Sequence, residues 1–202
     1  MMAPNVRLGI VFFSLALAVG LAGCTGKSPK SDFYTLGPTP ATGPVAKLST
    51  DMAIAVGPVT IPAELDRTQI VSRDGDNRIK IAELSRWAGP LQDNITAVLT
   101  ANLAARLGTD KVAPHYRESL FPFTHHVVLD IYRFDGNPQG EVLLDATWSI
   151  KQNGQSAPLV IKHSEIRTPV TSQDYNGLVA AQSKALADLS NQIAAALGQL
   201  TP

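Results

Sequence analysis

His125-His126-Val127-Val128-Leu129-Asp130-Ile131-Tyr132-Arg133-Phe134 leads through Asp135-Gly136-Asn137-Pro138-Gln139-Gly140 into a second run from Val142 to Gln152, and this stretch decides the fold. Val127, Leu129 and Ile131 alternate with Val128, Asp130 and Tyr132, and Ala146, Trp148 and Ile150 alternate with Thr147, Ser149 and Lys151. A period of two places one set on a buried sheet face and the other on a wetter one. The Gly- and Asn-rich segment between the runs reads as a turn, and so does Asn153-Gly154-Gln155-Ser156 before a third run from Pro158 to Arg167. Three consecutive strands joined by short turns form an antiparallel meander.

Helical spacing flanks the meander on both sides. Downstream, a long helix is expected over 173–200, with Thr171 or Ser172 as its N-cap. Val179, Leu186, Ile193 and Leu200 recur every seven residues, which admits a coiled-coil seam. Only three heptads are present and Gln182 interrupts the apolar face, so an Ala-rich helix laid across the sheet is the preferred reading. Upstream, Leu91, Ile95, Val98, Leu99, Leu103 and Leu107 share one helical face opposite Gln92, Asn94, Thr96 and Arg106, and Gly108 closes the helix. Pro90 suits its first turn.

Ahead of that helix, Ile70–Arg73 and Arg78–Ile81 flank Asp74-Gly75-Asp76-Asn77, a hairpin signal. Bulky residues at 52, 54 and 56 mark a half-buried strand that Gly57-Pro58 breaks or bulges. Strands in two groups, each followed by a helix, give an α+β domain: a mainly antiparallel β-sheet with two helices packed on one face. The expected organisation is a leader over 1–23, a tether with a short docking strand over 24–50, and a single α+β domain over 51–202.

The leader has a basic start at Arg7, an apolar stretch from Leu8 to Leu21 and small residues before Cys24, which are the three regions of an export signal. It is too short for a membrane span. Leu21-Ala22-Gly23-Cys24 resembles the lipobox of bacterial lipoproteins, and the resemblance implies cleavage before Cys24 and acylation of that residue, the only cysteine in the chain. Several acyl chains, each burying methylenes at about 0.8 kcal/mol apiece, anchor a protein firmly. Thr25 rather than Asp follows, which under the sorting rule of enteric bacteria favours the outer membrane. Thr25 to Ser31 extends at most about 25 Å at roughly 3.5 Å per residue. Asp32-Phe33-Tyr34-Thr35-Leu36, rich in β-formers, reads as a strand docking on the domain or on a neighbouring subunit.

Basic and acidic residues balance at 17 each, with no basic block or basic–aromatic interleaving, so nothing marks a nucleic-acid partner. Nor is there a phosphate loop, a Gly-x-Ser-x-Gly elbow or a His-Glu-x-x-His. His115, His125, His126 and His163 lack metal-ligand spacing, and neighbours on a strand point to opposite faces. Asp130, Asp135, Glu141 and Asp145 crowd one hairpin but read as strand-edge and turn polarity rather than a glycosidase pair. The expectation is a chain with no catalytic residues, no metal and no cofactor.

Pro62-Ala63-Glu64-Leu65-Asp66-Arg67 and Arg86-Trp87-Ala88-Gly89-Pro90-Leu91 read as docking loops, because Arg, Trp and Leu bury large area while keeping a polar handle. Trp87 in the core and Arg86 as a solvated cap fits equally well. The candidate partner or oligomer interface comprises Phe33, Tyr34, Leu36, Leu65, Asp66, Arg67, Arg86 and Trp87, with Arg67, Arg86 and Trp87 at its centre.

Asp32–Leu36 shortly after the cysteine, Val56-Gly57-Pro58-Val59 with Pro62, Leu65-Asp66-Arg67, Gln69-Ile70-Val71, and Arg86-Trp87 with Pro90-Leu91 opening a helix together resemble the PqiC-type auxiliary lipoproteins of MCE transport systems. The resemblance covers nearly the whole mature chain and is most specific over 56–107. It implies a periplasm-facing, outer-membrane lipoprotein that receives the far end of an MCE-domain protein in lipid transport, with a homo-oligomeric ring suited to that docking. Two other functions share the anchor and the domain: an adaptor or activator of a cell-wall or outer-membrane assembly machine, and a lipid-binding carrier.

Overall fold

In the computed structural model, which describes residues 29–39, 51–75, 77–117 and 119–200, the chain runs β1 (Asp32–Tyr34), β2 (Ile54–Thr60), β3 (Gln69–Arg73), β4 (Ile79–Trp87), α1 (Leu91–Leu107), β5 (Val112–Pro114), β6 (His125–Gly136), β7 (Glu141–Gln152), β8 (Val160–Pro169) and α2 (Tyr175–Gln199). The leader, Cys24 with the start of the tether, and residues 40–50 lie outside the described residues.

The meander forms as its alternation dictates. Val127 faces Ile150, Leu129 faces Trp148 and Ile131 faces Ala146 across antiparallel β6 and β7, and β8 continues the antiparallel order. These residues are buried, whereas Tyr132 and Ile161 on β6 and β8 are exposed. The α+β class is therefore as expected, with its strands divided between a five-stranded sheet, β5-β2-β6-β7-β8, and a three-stranded one, β1-β4-β3.

Parallel pairing is where the architecture departs from a simple meander. β2 lies parallel to both β5 and β6, and β1 lies parallel to β4. Between β2 and β5 the chain makes a hairpin and a helix, and a crossover of that length returns it to the end from which it started. Alternation reports which residues are buried but not the direction of the neighbouring strand. β5 itself is three residues long, too short to show a period.

The hairpin of β3 and β4 pairs Val71 with Ile81 and Arg73 with Ile79, with Gly75 at φ 76° in its turn. At the break in β2, the register with β6 shifts between Val56 and Val59. Gly57 has φ 110° there, and a Cβ at this position would overlap the His115 ring. Only glycine meets both conditions.

α1 packs on β2 and β5, α2 packs on β7 and β8, and the helices pack on each other. Gly108 ends α1 in the left-handed conformation at φ 60°, its N–H bonded to the Ala104 carbonyl. The α2 cap is Asp174 rather than Thr171 or Ser172: its carboxylate accepts from the Gly177 N–H at 2.7 Å, while the Ser172 hydroxyl donates to it at 2.6 Å. Both bonds favour the ionised form, the Ser172 bond most, and hold the Asp174 carboxyl below its ordinary pKa.

Val179, Leu186 and Ile193 are buried within the chain, and Gln182, also buried, donates to the Phe134 carbonyl at 3.1 Å. The heptad positions thus serve the intramolecular core. Trp148 is satisfied there too, donating to Ser164, whose hydroxyl donates to Gln192. A second, small cluster of Ala55, Ala113 and Phe123 lies apart from this core.

Candidate functional site

Three chain segments distant in sequence meet where β4 ends. The loop after β2 is held by its own hydrogen bonds, Leu65 N–H to Pro62 O at 2.9 Å and Arg67 N–H to Leu65 O at 2.9 Å, and by the buried Leu65 side chain. The Trp87 N–H then bonds the Thr68 carbonyl at 2.7 Å, and the Ala88 N–H bonds the Tyr34 carbonyl at 2.8 Å. Strand register completes the junction by setting Phe33 opposite Arg86.

The result is a surface groove of about 530 Å³ whose lining includes Phe33, Asp66, Arg67, Arg86, Trp87 and Leu91. Five of the eight interface candidates line it. Phe33, 66% exposed, stands on β1 at the rim of its sheet. Arg67 forms no ion pair among the described residues, and the Arg86 Nε donates only to the Glu83 carbonyl, at 3.2 Å. Two guanidinium groups therefore face solvent beside an aromatic ring, with Asp66 as the one carboxylate in the lining.

Four candidates occupy other roles than a surface anchor. Trp87, 5% exposed, and Leu36 and Leu65, 3% each, belong to the main core. Trp87 is thus a core residue that shows one edge to the groove, and the alternative that placed it in the core is the one realised. Arg86 and Trp87 also end a nine-residue strand rather than forming a loop. Tyr34 packs against the core, and its carbonyl fixes the turn after β4.

A strap that the sequence reading missed completes the site. After β1, the N–H groups of Leu36 and Thr39 donate to the side-chain oxygens of Asn94 at 2.7 Å and Asn102 at 3.1 Å on α1, and the Gly37 N–H donates to Ser183 on α2 at 3.2 Å. Helical spacing sets Asn94 and Thr96 opposite the apolar face of α1. Asn94 holds backbone instead, and Thr96 is buried with its hydroxyl on the Gln92 carbonyl. The signal that was available is the eight-residue spacing of the two asparagines, which returns to the same helix face.

A polar recess of about 460 Å³ lies between β1, β3, β4, the β6–β7 turn and the start of α2. Its Asp74, Lys80 and Arg73 charges are matched by neighbouring side chains. Asp74 pairs with both Arg78 and Lys80, and its carboxyl is held below its ordinary pKa chiefly by the Lys80 hydrogen bond.

The acidic residues around the hairpin also diverge. Asp130 accepts from Thr60, Asp135 from Arg73 and Arg133, and Glu141 from Arg167, while Asp145 lies 3.3 Å from His163. Among the described residues no group of three or more His, Cys, Asp or Glu side chains is placed to hold a metal ion. No helix among them is long and apolar enough to cross a membrane.

Residues 34–194 match the family model of the ABC-type transport auxiliary lipoprotein component. The intermembrane transport lipoprotein PqiC of Escherichia coli (strain K12) is 27% identical over 183 residues, covering 90% of this chain and 92% of that protein, and its Shigella flexneri counterpart gives the same figures. Two crystal structures share the fold. One is of an uncharacterized protein, with a TM-score of 0.68 and 21% identity over 83% of this chain and 99% of the other. The second, from Xanthomonas campestris, gives 0.67 and 14% over 84% and 97%.

Proposed function

This chain belongs to the ABC-type transport auxiliary lipoprotein family, and from that premise we propose that it is the non-catalytic docking component of an MCE-type intermembrane lipid transport system. In this reading Cys24 carries the lipid, the leader over 1–23 is removed, and the domain stands on the periplasmic face of the outer membrane. There it receives the periplasmic MCE-domain protein, as a ring of identical subunits, and so contributes to envelope integrity.

One observation carries the proposal: Phe33, Asp66, Arg67 and Arg86, on three separate segments, converge on one groove next to the first strand after the tether. A docking component needs a rigid surface near its anchor. β1 supplies the link, because it follows the tether and is paired into the same sheet as Arg86. An exposed aromatic in one groove with two arginines is the composition of an interface anchor rather than of a solvated face.

Fractionation of cells expressing a Cys24→Ala protein tests the anchoring. Loss from the outer membrane together with loss of envelope integrity is the expected result, and unchanged fractionation with full integrity would overturn it. Site-specific crosslinking from position 68 in intact cells tests the docking. Recovery of an MCE-domain protein is expected, whereas recovery of a cell-wall synthase or an outer-membrane assembly factor would favour the adaptor reading in its place.

A further inference from the structure

Resting on the docking role proposed above, we infer that the groove takes one kind of occupant: an extended acidic segment of the transport partner that alternates carboxylates with apolar side chains. The charge of the groove selects it. Arg67 and Arg86 present two cations, Arg67 with no ion-pair partner among the described residues and Arg86 bonded only to a backbone carbonyl, against the single carboxylate of Asp66. Guanidinium groups recognise carboxylates through paired N–H donors. The edges of Trp87 and Leu91 offer an apolar floor for the other side chains, while the Phe33 ring stands on the same face as Arg86 and packs against the carboxylate-bearing stems.

Strand geometry selects the extended form. β1 is the rim strand of β1-β4-β3, so its outer edge has no strand partner among the described residues. An added strand would meet that edge through backbone hydrogen bonds, and its side chains would alternate between two faces. Such a segment sends its carboxylates one way, toward the arginines, and its apolar groups the other. The chain's own tether is a poor occupant, since Lys27 and Lys30 are its charged residues before β1.

The test uses the full lipidated protein extracted in detergent and two acetylated, amidated hexapeptides, one alternating Glu with Leu and the other Lys with Leu. Fluorescence anisotropy should show binding of the Glu–Leu peptide alone. An Arg67→Glu, Arg86→Glu double variant should lose that binding by about tenfold or more and gain the Lys–Leu peptide, as expected for a reversed charge pair. Phe33→Ser should weaken the Glu–Leu peptide without reversing the preference. No Glu–Leu binding, or binding indifferent to the double reversal, would overturn the inference.

Arginine-dependent capture on phosphatidylglycerol-coated beads without peptide binding would do so as well, by making an anionic headgroup the occupant. Loss of self-association in the double variant without peptide binding would instead make it a second copy. Crosslinking from position 68 keeps the two levels apart. If an MCE-domain protein is captured equally by wild type and double variant, the chemistry inferred here fails and the docking role stands. If the peptide behaves as expected and no transport component is captured, the docking role fails and the chemistry stands.

Discussion

Arg73 on β3 reaches Asp135 on β6 and joins the two sheets, with its Nε 2.9 Å and its Nη2 2.6 Å from one carboxylate oxygen. The second oxygen accepts from Arg133 Nη2 at 2.9 Å. The Asp135 side chain is 3% exposed and that of Arg73 20%, so this pair is screened little by solvent. The two sheets carry opposite halves of the site's support: β4 holds Arg86, and β2 leads into the loop that holds Arg67.

Asp135→Ala should therefore destabilise the domain by about 3 kcal/mol, since it removes the buried carboxylate that the Arg73 and Arg133 guanidinium groups share. Urea denaturation checks this. A loss under about 1 kcal/mol would mean that both arginines escape to water and that the junction rests on apolar packing alone.

Trp87 and Arg86 are adjacent and should behave oppositely. Trp87→Ala removes a core side chain and should cost about 3–5 kcal/mol of stability. Arg86→Ala should change stability by no more than about 0.5 kcal/mol. Thermal melts of the two variants, beside co-purification of the transport partner, should show unfolding for the first and weakened assembly at normal stability for the second.

Stability should also depend on pH through His125. Partial burial first, and the neighbouring charge of His126 second, lower its pKa below the ordinary 6.5. Above 6.5 the imidazole is neutral in both states and its stabilising contribution is complete. As pH falls below that value the unfolded chain takes up the proton first, so stability declines until the folded value is passed. His125→Gln should flatten this part of the profile between about pH 5 and about pH 7, read as the wild-type minus variant difference in urea midpoint.

The strap over the helices should open independently of the core. Asn102→Ala removes the acceptor for the Thr39 N–H, and Asn94→Ala removes the one for Leu36. Faster hydrogen exchange at the amides of Leu36, Gly37 and Thr39, with α1 and β4 unchanged, is the expected signature. Exchange that quickens throughout α1 would instead show the strap to be part of the global folding unit.

The elements most legible in the sequence were those long enough to show a period. α1 occupies residues 91–107 as its apolar spacing indicates, and β6 and β7 show their alternation over twelve residues each. β5, with three residues, has no period to read. The α2 start shifted to Asp174 because four cap-forming residues, 171, 172, 174 and 176, lie together, and the sequence does not say which carboxylate or hydroxyl reaches the first free N–H. Arg67, Arg86 and Phe33 were legible by residue type as candidates for an exposed surface, and they line the groove. Leu36 and Leu65 misled, since an apolar residue beside a polar loop has the same composition whether it faces in or out.

By itself the sequence determined the α+β class, the meander, the first helix and the resemblance that led to the family, because each of these is written in local periodicity or in short runs of residues. Only the tertiary structure decided that β1 pairs parallel with the end of β4, that Trp87 turns inward while Arg86 stays out, and that Arg67 arrives beside them. Those outcomes depend on contacts between segments tens of residues apart, set by backbone hydrogen bonds such as Trp87 to Thr68 and Ala88 to Tyr34 that any residue types can make.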